Sequence, residues 1–220
     1  EPDANADALI WHADVRRMLL TQKATAEGGR AMIYAAAQTA DLMVDAGRRQ
    51  DRATQDKHDD TLGFYTPILK GFLTEMGLEA ANLGMQVFGG HGYIHEHGME
   101  QIARDARIAT LYEGTTGIQA LDLLGRKVLL ETRGKCVRDF SRIMLRSAKA
   151  HWLAHGSIGR MARSTAKRAI EWNLLTLRIM RRVGKDRDLV GSASVDYLMY
   201  SGYVMMAHFW VRQAAVAQTF

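Results

Sequence analysis

Proline occurs at only two positions in this chain, Pro2 and Pro67, and nowhere in the long stretch that follows. Proline removes a backbone donor and its ring collides with the preceding helical turn, so its absence leaves helices free to run uninterrupted. Apolar residues recur three and four positions apart through most of the length. No stretch shows the run of alternation that a half-buried strand requires. The expected fold class is therefore all-α, with helices packed as a bundle. The 220 residues give ample chain to bury a core, in one domain of good size or two small ones.

Composition narrows the functional classes. Hydrophobic residues make up 47% of the chain, yet no apolar run nears the roughly 20 residues needed to span a bilayer. The start, Glu1-Pro2-Asp3-Ala4, has none of the regions of a signal peptide and lacks an initiator methionine. The chain thus reads as processed, or as a piece of something longer. A single cysteine, Cys136, excludes an internal disulfide and suits a reducing cytoplasm. The net charge of +5 raises the question of nucleic acid. The surplus lies mainly after residue 126, in Arg126, Lys127, Arg160, Arg163, Lys167, Arg168, Arg178, Arg181 and Arg182, dispersed and without an aromatic platform. Solvated helix faces account for it, so no nucleic-acid partner is expected. An anionic small ligand such as a CoA ester is a second reading.

One long helix is expected over about Asp14 to Ala46, with Val15, Met18, Leu19, Ala26, Ile33, Ala37, Ala40 and Val44 near helical spacing. Gly28-Gly29 weakens its middle unless another helix or a ligand approaches closely there. Arg48 to Thr61 is polar, has no apolar period and reads as a surface connection, with His58, Asp59 and Asp60 in a solvated loop. A second helix is expected from Pro67, a favourable first-turn residue, to Val87. Its apolar stripe is Leu69, Phe72, Leu73, Met76, Ala80, Leu83 and Val87; Gly77, Ala81 and Gly84 form a small-residue face. Thr115 or Thr116 can cap a third helix carrying Ile118, Leu121, Leu124 and Val128. After a break at Gly134 come three more patterns: Val137, Phe140, Met144, Ala148, Trp152; then Ile170, Leu174, Leu177, Met180; then Val195, Leu198, Gly202, Met205, Phe209. Gly156-Ser157-Ile158-Gly159 separates the first two and Gly184 to Gly191 the last two.

Chemistry concentrates between Gln86 and Gln119. Gly89, Gly90 and Gly92 stand in four positions, and each glycine inside a helix costs about 1 kcal/mol relative to alanine, so a turn is expected. Such turns expose backbone N–H groups that can bind a phosphate or a carbonyl oxygen. A short charged helix, Met99 to Ile108, follows, and then a second break at Glu113-Gly114-Thr115-Thr116-Gly117. A loop glutamate beside a small-residue gap is well placed to meet a ligand. His91, His95 and His97 could be ligands or acids, but the spacing of His97 and Glu100 is only half of a metal site, and no metal is expected.

The segments QVFGGHGY and RDARIATLYEGTTGIQ, in this order and register, resemble the C-terminal helical domain of the acyl-CoA dehydrogenase family. The resemblance covers roughly residues 10 to 130. The LDLLGRKV continuation and the helices to Phe220 resemble the longer branch that includes 3-methylmercaptopropionyl-CoA dehydrogenase-like enzymes. Two units are expected: residues 1–133 as the family's C-terminal helical bundle domain and 134–220 as an additional helical domain.

The resemblance implies roles residue by residue. Glu113 falls on the family's catalytic base, which removes the α-proton of an acyl-CoA thioester while the β-hydrogen leaves as hydride to flavin N5. The Glu113 backbone N–H and a flavin ribityl hydroxyl would stabilise the developing enolate. Gly114 falls where the thioester passes. Gln86, Val87, Phe88, Gly89 and Gly90 fall on the turn that contacts the FAD of a neighbouring subunit; Thr115, Thr116 and Gly117 contact FAD after the base. Arg104 and Asp105 match the family motif, though a helix-surface ion pair explains them equally. The implied cofactor is FAD, the substrate an acyl-CoA of fatty-acid metabolism, the electron acceptor an electron-transfer flavoprotein, and the assembly a homodimer or homotetramer. Family members also carry an N-terminal helical domain and a β-domain holding the flavin ring. Neither is represented here, which implies a fragment that binds FAD poorly alone and does not turn over. Two alternatives stay open: a silent helical module for oligomerisation or partner binding, and an acyl-CoA oxidase.

Overall fold

The computed structural model describes residues 7–186 and 188–218, and among these there is no strand. A 3₁₀ turn (Leu9–Trp11) leads into α1 (Ala13–Arg48), and α2 (Arg52–Val87) runs back along it. The two helices pack along their lengths, as antiparallel neighbours joined by a short loop do. The connection is much shorter than the polar run Arg48 to Thr61 suggested. The Asp51 carboxylate accepts from the Thr54 N–H at 3.1 Å and starts α2 there, so His58, Asp59 and Asp60 are helical. The missing apolar period marks a solvent-facing stretch of helix, not a loss of helix. Pro67 correspondingly lies deep inside α2 and not in its first turn. An internal proline costs about 3 kcal/mol or more, and burial of Phe64, Ile68 and Phe72 around it outweighs that cost.

The rest comprises a one-turn α3 (Gly90–Tyr93), a 3₁₀ turn (His95–His97), α4 (Met99–Ile108), α5 (Thr116–Leu121), α6 (Lys135–Ala150), α7 (Gly156–Arg182) and α8 (Leu189–Ala217). α5 runs straight into a π-helix, Asp122–Glu131. Its wider winding, seen in the Thr132 N–H bonding to the Lys127 carbonyl at 3.2 Å, buries Leu123, Leu124 and Val128 together. Ile118 and Leu121, expected in the same stripe, are left exposed.

A single apolar cluster joins Met32, Phe72 and Leu124 to Val137, Phe140, Trp172 and Leu198 from beyond Gly134. Phe64 stacks on Trp172 at 6.0 Å, and Tyr65 meets Phe140 edge-on at 5.7 Å. α8 reaches this core through glycines. A Cβ on Gly202 would lie 2.1 Å from the Phe72 ring, and one on Gly71 would lie 2.7 Å from Leu198. Of the two readings of Gly28-Gly29, a weakened helix or a close approach, the structure shows the second: Trp210 and Met206 of α8 press on Gly28, and Leu73 of α2 on Gly29.

Two expected stripes turn outwards. On α1 the buried positions are Met18, Thr25, Gly28, Gly29, Met32, Ala36 and Ala46, while Leu19, Ile33 and Val44 are exposed. On α7, Ala162, Ala166, Ala169 and Trp172 are buried, while Ile170 and Leu174 are 52% and 58% exposed. The faces that meet neighbouring helices combine small residues with a few large ones, Met32 on α1 and Trp172 on α7, and leave Ile33, Ile170 and Leu174 outside. α7 also starts at Gly156, so Ser157, Ile158 and Gly159 form its first turn, and the break lies just before it. No helix among the described residues is long and apolar enough to cross a membrane.

Candidate active site

α2 carries the site, and its second half holds two separate pieces of the motif. At one, the chain leaves α4 through turns in which the Thr110 and Leu111 N–H groups bond to the carbonyls of Arg107 and Ile108. Glu113 and Gly114 then take consecutive positive φ values of 52° and 93°. For a glutamate this left-handed backbone costs roughly 1–2 kcal/mol, so the surroundings must hold it. Lys70 donates to the carbonyls of Ala109 at 2.9 Å and Gly114 at 2.6 Å, and its ammonium lies 5.9 Å from the centre of the Tyr112 ring. The Thr116 hydroxyl donates to the Glu75 carboxylate at 2.5 Å. Of the two possible caps, Thr115 is the one used: its hydroxyl accepts from the Ile118 N–H at 3.4 Å.

What remains outside this clamp is chemically available. The Glu113 side chain is exposed, and among the described residues its carboxylate has no hydrogen-bond or ion-pair partner. Nor, among those residues, do the backbone N–H groups of Glu113 to Gly117 find an acceptor. Gly114 has reasons of its own to be glycine: besides its φ, a Cβ there would lie 2.4 Å from the Gln119 amide.

The other piece is the corner where α2 ends. Gln86 and Val87 close the helix, Phe88 is its C-cap, and Gly89 turns with φ 60° and ψ −142°. A Cβ on Gly89 or Gly90 would meet nothing within 4 Å, so both faces are open. Gly92 differs: a Cβ there would lie 2.4 Å from the Met85 carbonyl, so this glycine folds the corner.

Glu113, Gly114, Thr115, Thr116 and Gly117 are thus brought together, whereas Gln86 to Gly90 are kept apart from them. At 1.5 Å per helical residue, the corner lies roughly 15–25 Å along α2 from the residues that pin the loop. A groove of about 1140 Å³ runs beside α4, lined by Asn82, Met85, Tyr93, Arg104, Asp105 and Arg107 among others. Asp105 accepts from the Gln101 amide at 2.8 Å. His95 bonds Glu100 at 3.0 Å, and His91 meets His97 edge-on at 5.2 Å. Among the described residues no group of three or more His, Cys, Asp or Glu is placed to hold a metal.

Lys70 and Glu75 escaped the sequence reading. The signal was present but weak: two charges set among the apolar residues of α2, Leu69-Lys70-Gly71-Phe72 and Thr74-Glu75-Met76.

Comparison with known proteins agrees with this architecture. Residues 1–129 match the family described as acyl-CoA dehydrogenase, C-terminal domain, and residues 137–219 match one described as acetyl-CoA dehydrogenase C-terminal like. The chain is 38% identical over 198 residues to 3-methylmercaptopropionyl-CoA dehydrogenase of Ruegeria pomeroyi, covering 90% of this chain and 33% of that protein. It is 36% identical over 131 residues to a butyryl-CoA dehydrogenase of Syntrophomonas wolfei, covering 60% of this chain and 21% of the relative. A broad-specificity linear acyl-CoA dehydrogenase of Mycobacterium tuberculosis is 38% identical over 122 residues, 55% of this chain and 20% of its own length. The chain therefore spans a third or less of the length of these curated relatives. With an all-α fold and a match across more than half its length, it belongs to the acyl-CoA dehydrogenase family.

Proposed function

We propose that this chain is the C-terminal part of an FAD-dependent acyl-CoA dehydrogenase in which Glu113 takes the α-proton of an acyl-CoA thioester. One observation carries the reading: an exposed carboxylate, unpartnered among the described residues, stands on backbone held in the left-handed region. Strain of this kind persists only where the surroundings enforce it, and it clusters at sites that meet a ligand.

The α-proton of a thioester is a very weak acid, so the carbonyl must be stabilised as charge develops on it. The Glu113 N–H, one of the unbonded amides of the loop, is the proposed donor to that oxygen. The Glu113 carboxylate receives the proton. The electron pair of the broken C–H bond becomes the new Cα=Cβ bond as the β-hydrogen departs as hydride. When bound, FAD supplies the acceptor for that hydride. Gly114 leaves room for the thioester beside the base.

The residues present fit such a cofactor. Gly89, Gly90 and Gly117 have open space where a Cβ would stand, so a flat polar group can approach their backbone. We assign Gln86, Val87, Phe88, Gly89 and Gly90 to contact with the FAD of a neighbouring subunit, and Thr115, Thr116 and Gly117 to FAD beside the base. The separation of the two pieces along α2 supports two contacts in different subunits, and hence a homodimer or homotetramer. An electron-transfer flavoprotein is the proposed electron acceptor, and the cytoplasm, which suits the lone thiol, the proposed compartment. We divide the chain into residues 1–133 and 134–220, a boundary supported by the gap between the two family matches. Because the chain covers a third or less of its relatives, we propose that alone it binds FAD poorly and does not turn over.

The test is Glu113→Gln in the full-length protein, read as anaerobic bleaching of the flavin by acyl-CoA. A loss of roughly 10²–10⁴-fold with FAD content retained is expected for removal of a general base. An unchanged rate overturns the assignment and leaves a silent module. Reoxidation faster by oxygen than by an electron-transfer flavoprotein would make the enzyme an oxidase.

A further inference from the structure

We propose that Lys70 is a positioning residue for the Glu113 loop; the role rests on the reading of Glu113 as the base. Lys70 lies on α2, 39 and 44 residues away in sequence from the two carbonyls it grips. The first, Ala109, is the C-cap of α4, where an ammonium both satisfies an orphan acceptor and complements the helix dipole. The second, Gly114, directly follows Glu113. One ammonium therefore fixes the chain on both sides of the glutamate.

The grip also sets a peptide plane. With no cis bond among the described residues, the Gly114 carbonyl and the Thr115 N–H point in opposite directions. Holding that carbonyl on Lys70 turns the Thr115 N–H outwards, at an exposed residue. Without Lys70 the Gly114–Thr115 peptide is free to rotate, and the left-handed turn at Glu113 loses its restraint. Glu75 still tethers Thr116 from the same helix. Loss of Lys70 should therefore misplace the base without detaching the loop.

The experiment is Lys70→Met in the full-length protein, alone and combined with Glu113→Gln. The readouts are FAD content, acyl-CoA Kd and the limiting rate of flavin reduction. The expected result is a rate lower by roughly 10²-fold, as for a misplacement of about 1 Å, with Kd and FAD content within twofold of the parent. The double variant should be slower than Glu113→Gln by much less than the Lys70→Met loss, because the carboxylate's position no longer matters once the base is gone and only the placing of the Glu113 N–H is left to disturb. An unchanged rate in Lys70→Met, or losses that multiply in the double variant, overturns the proposal while leaving Glu113 as base. Near-parental activity in Glu113→Gln instead sinks the underlying reading and the proposal with it. Should Lys70→Met fail to fold, Lys70→Gln, with one donor on a shorter arm, is read by the same criteria.

Discussion

The glycine corner and the Glu113 loop are both sharp, exposed bends on α2, yet they are built in opposite ways. The corner is open: Gly89 and Gly90 have nothing within 4 Å of a hypothetical Cβ, and only Gly92 is pressed against its own chain. The loop is anchored: Lys70 and Glu75 hold it at Ala109, Gly114 and Thr116, and Gln119 crowds Gly114. A bare, unclamped bend suits a surface on which another molecule rests. A clamped bend carrying a carboxylate with no partner among the described residues suits a group that must be aimed. The same residue type, glycine, thus serves access in one place and geometry in the other.

The sharpest way to break this contrast is at the carboxylate itself. Glu113→Gln should slow flavin reduction by roughly 10²–10⁴-fold, whereas no single change at the open corner should approach that. Flavin reduction in the two sets of variants, followed by stopped flow, makes the comparison.

Acid should reach the two regions differently. His208 is buried in α8 against Phe140 and Phe209, its Nδ1 has no partner among the described residues, and burial pushes its pKa down to about 4. Nearby Arg212 pushes in the same direction. The unfolded chain binds this proton at higher pH than the folded one, so stability is full above the ordinary value near 6.5 and falls as pH drops towards 4. The loss is roughly 3 kcal/mol at its fullest. α5, which continues the anchored loop, packs on α8, whereas α3 at the corner packs on α2 and α4. Hydrogen exchange between pH 7 and 4 should therefore show protection lost in α5 before α3, and His208→Phe should remove the difference.

Gly114→Ala comes next. It forces a Cβ onto a φ of 93° and displaces the Gln119 amide, so a loss of about 1–2 kcal/mol is expected, seen as a lower Tm. Smallest is Gly90→Ala, which meets open space. Stability should stay within about 0.5 kcal/mol, while the FAD Kd of the full-length protein should rise if the corner is a cofactor platform. An unaltered Kd would remove that role.

Much of this was legible in the chain. The breaks at Gly89 and Gly114, a cap at Thr115 or Thr116 and the helices between them follow from local backbone preferences, which neighbouring residues reveal; the structure chose Thr115. Gly28-Gly29 left open a weakened helix or a close approach by a helix or a ligand, because Trp210 and Met206, which decide it, lie far away in sequence. The stripes on α1 and α7 misled for a related reason. Leu174 is more hydrophobic than Ala166, but the face of α7 that meets other helices carries Ala162, Ala166, Ala169 and Trp172, and that fit is a property of pairs of helices.

The sequence by itself determined an all-α chain, two bent segments in fixed register and the glutamate in the second of them, because helix formation and its interruption are decided within a few residues. Only the tertiary structure decided which faces are buried, how far the corner stands from the loop, and that Lys70 and Glu75 hold the loop in place. Those contacts join residues about 40 positions apart, and a lysine among apolar neighbours reads the same whether it faces water or two carbonyls.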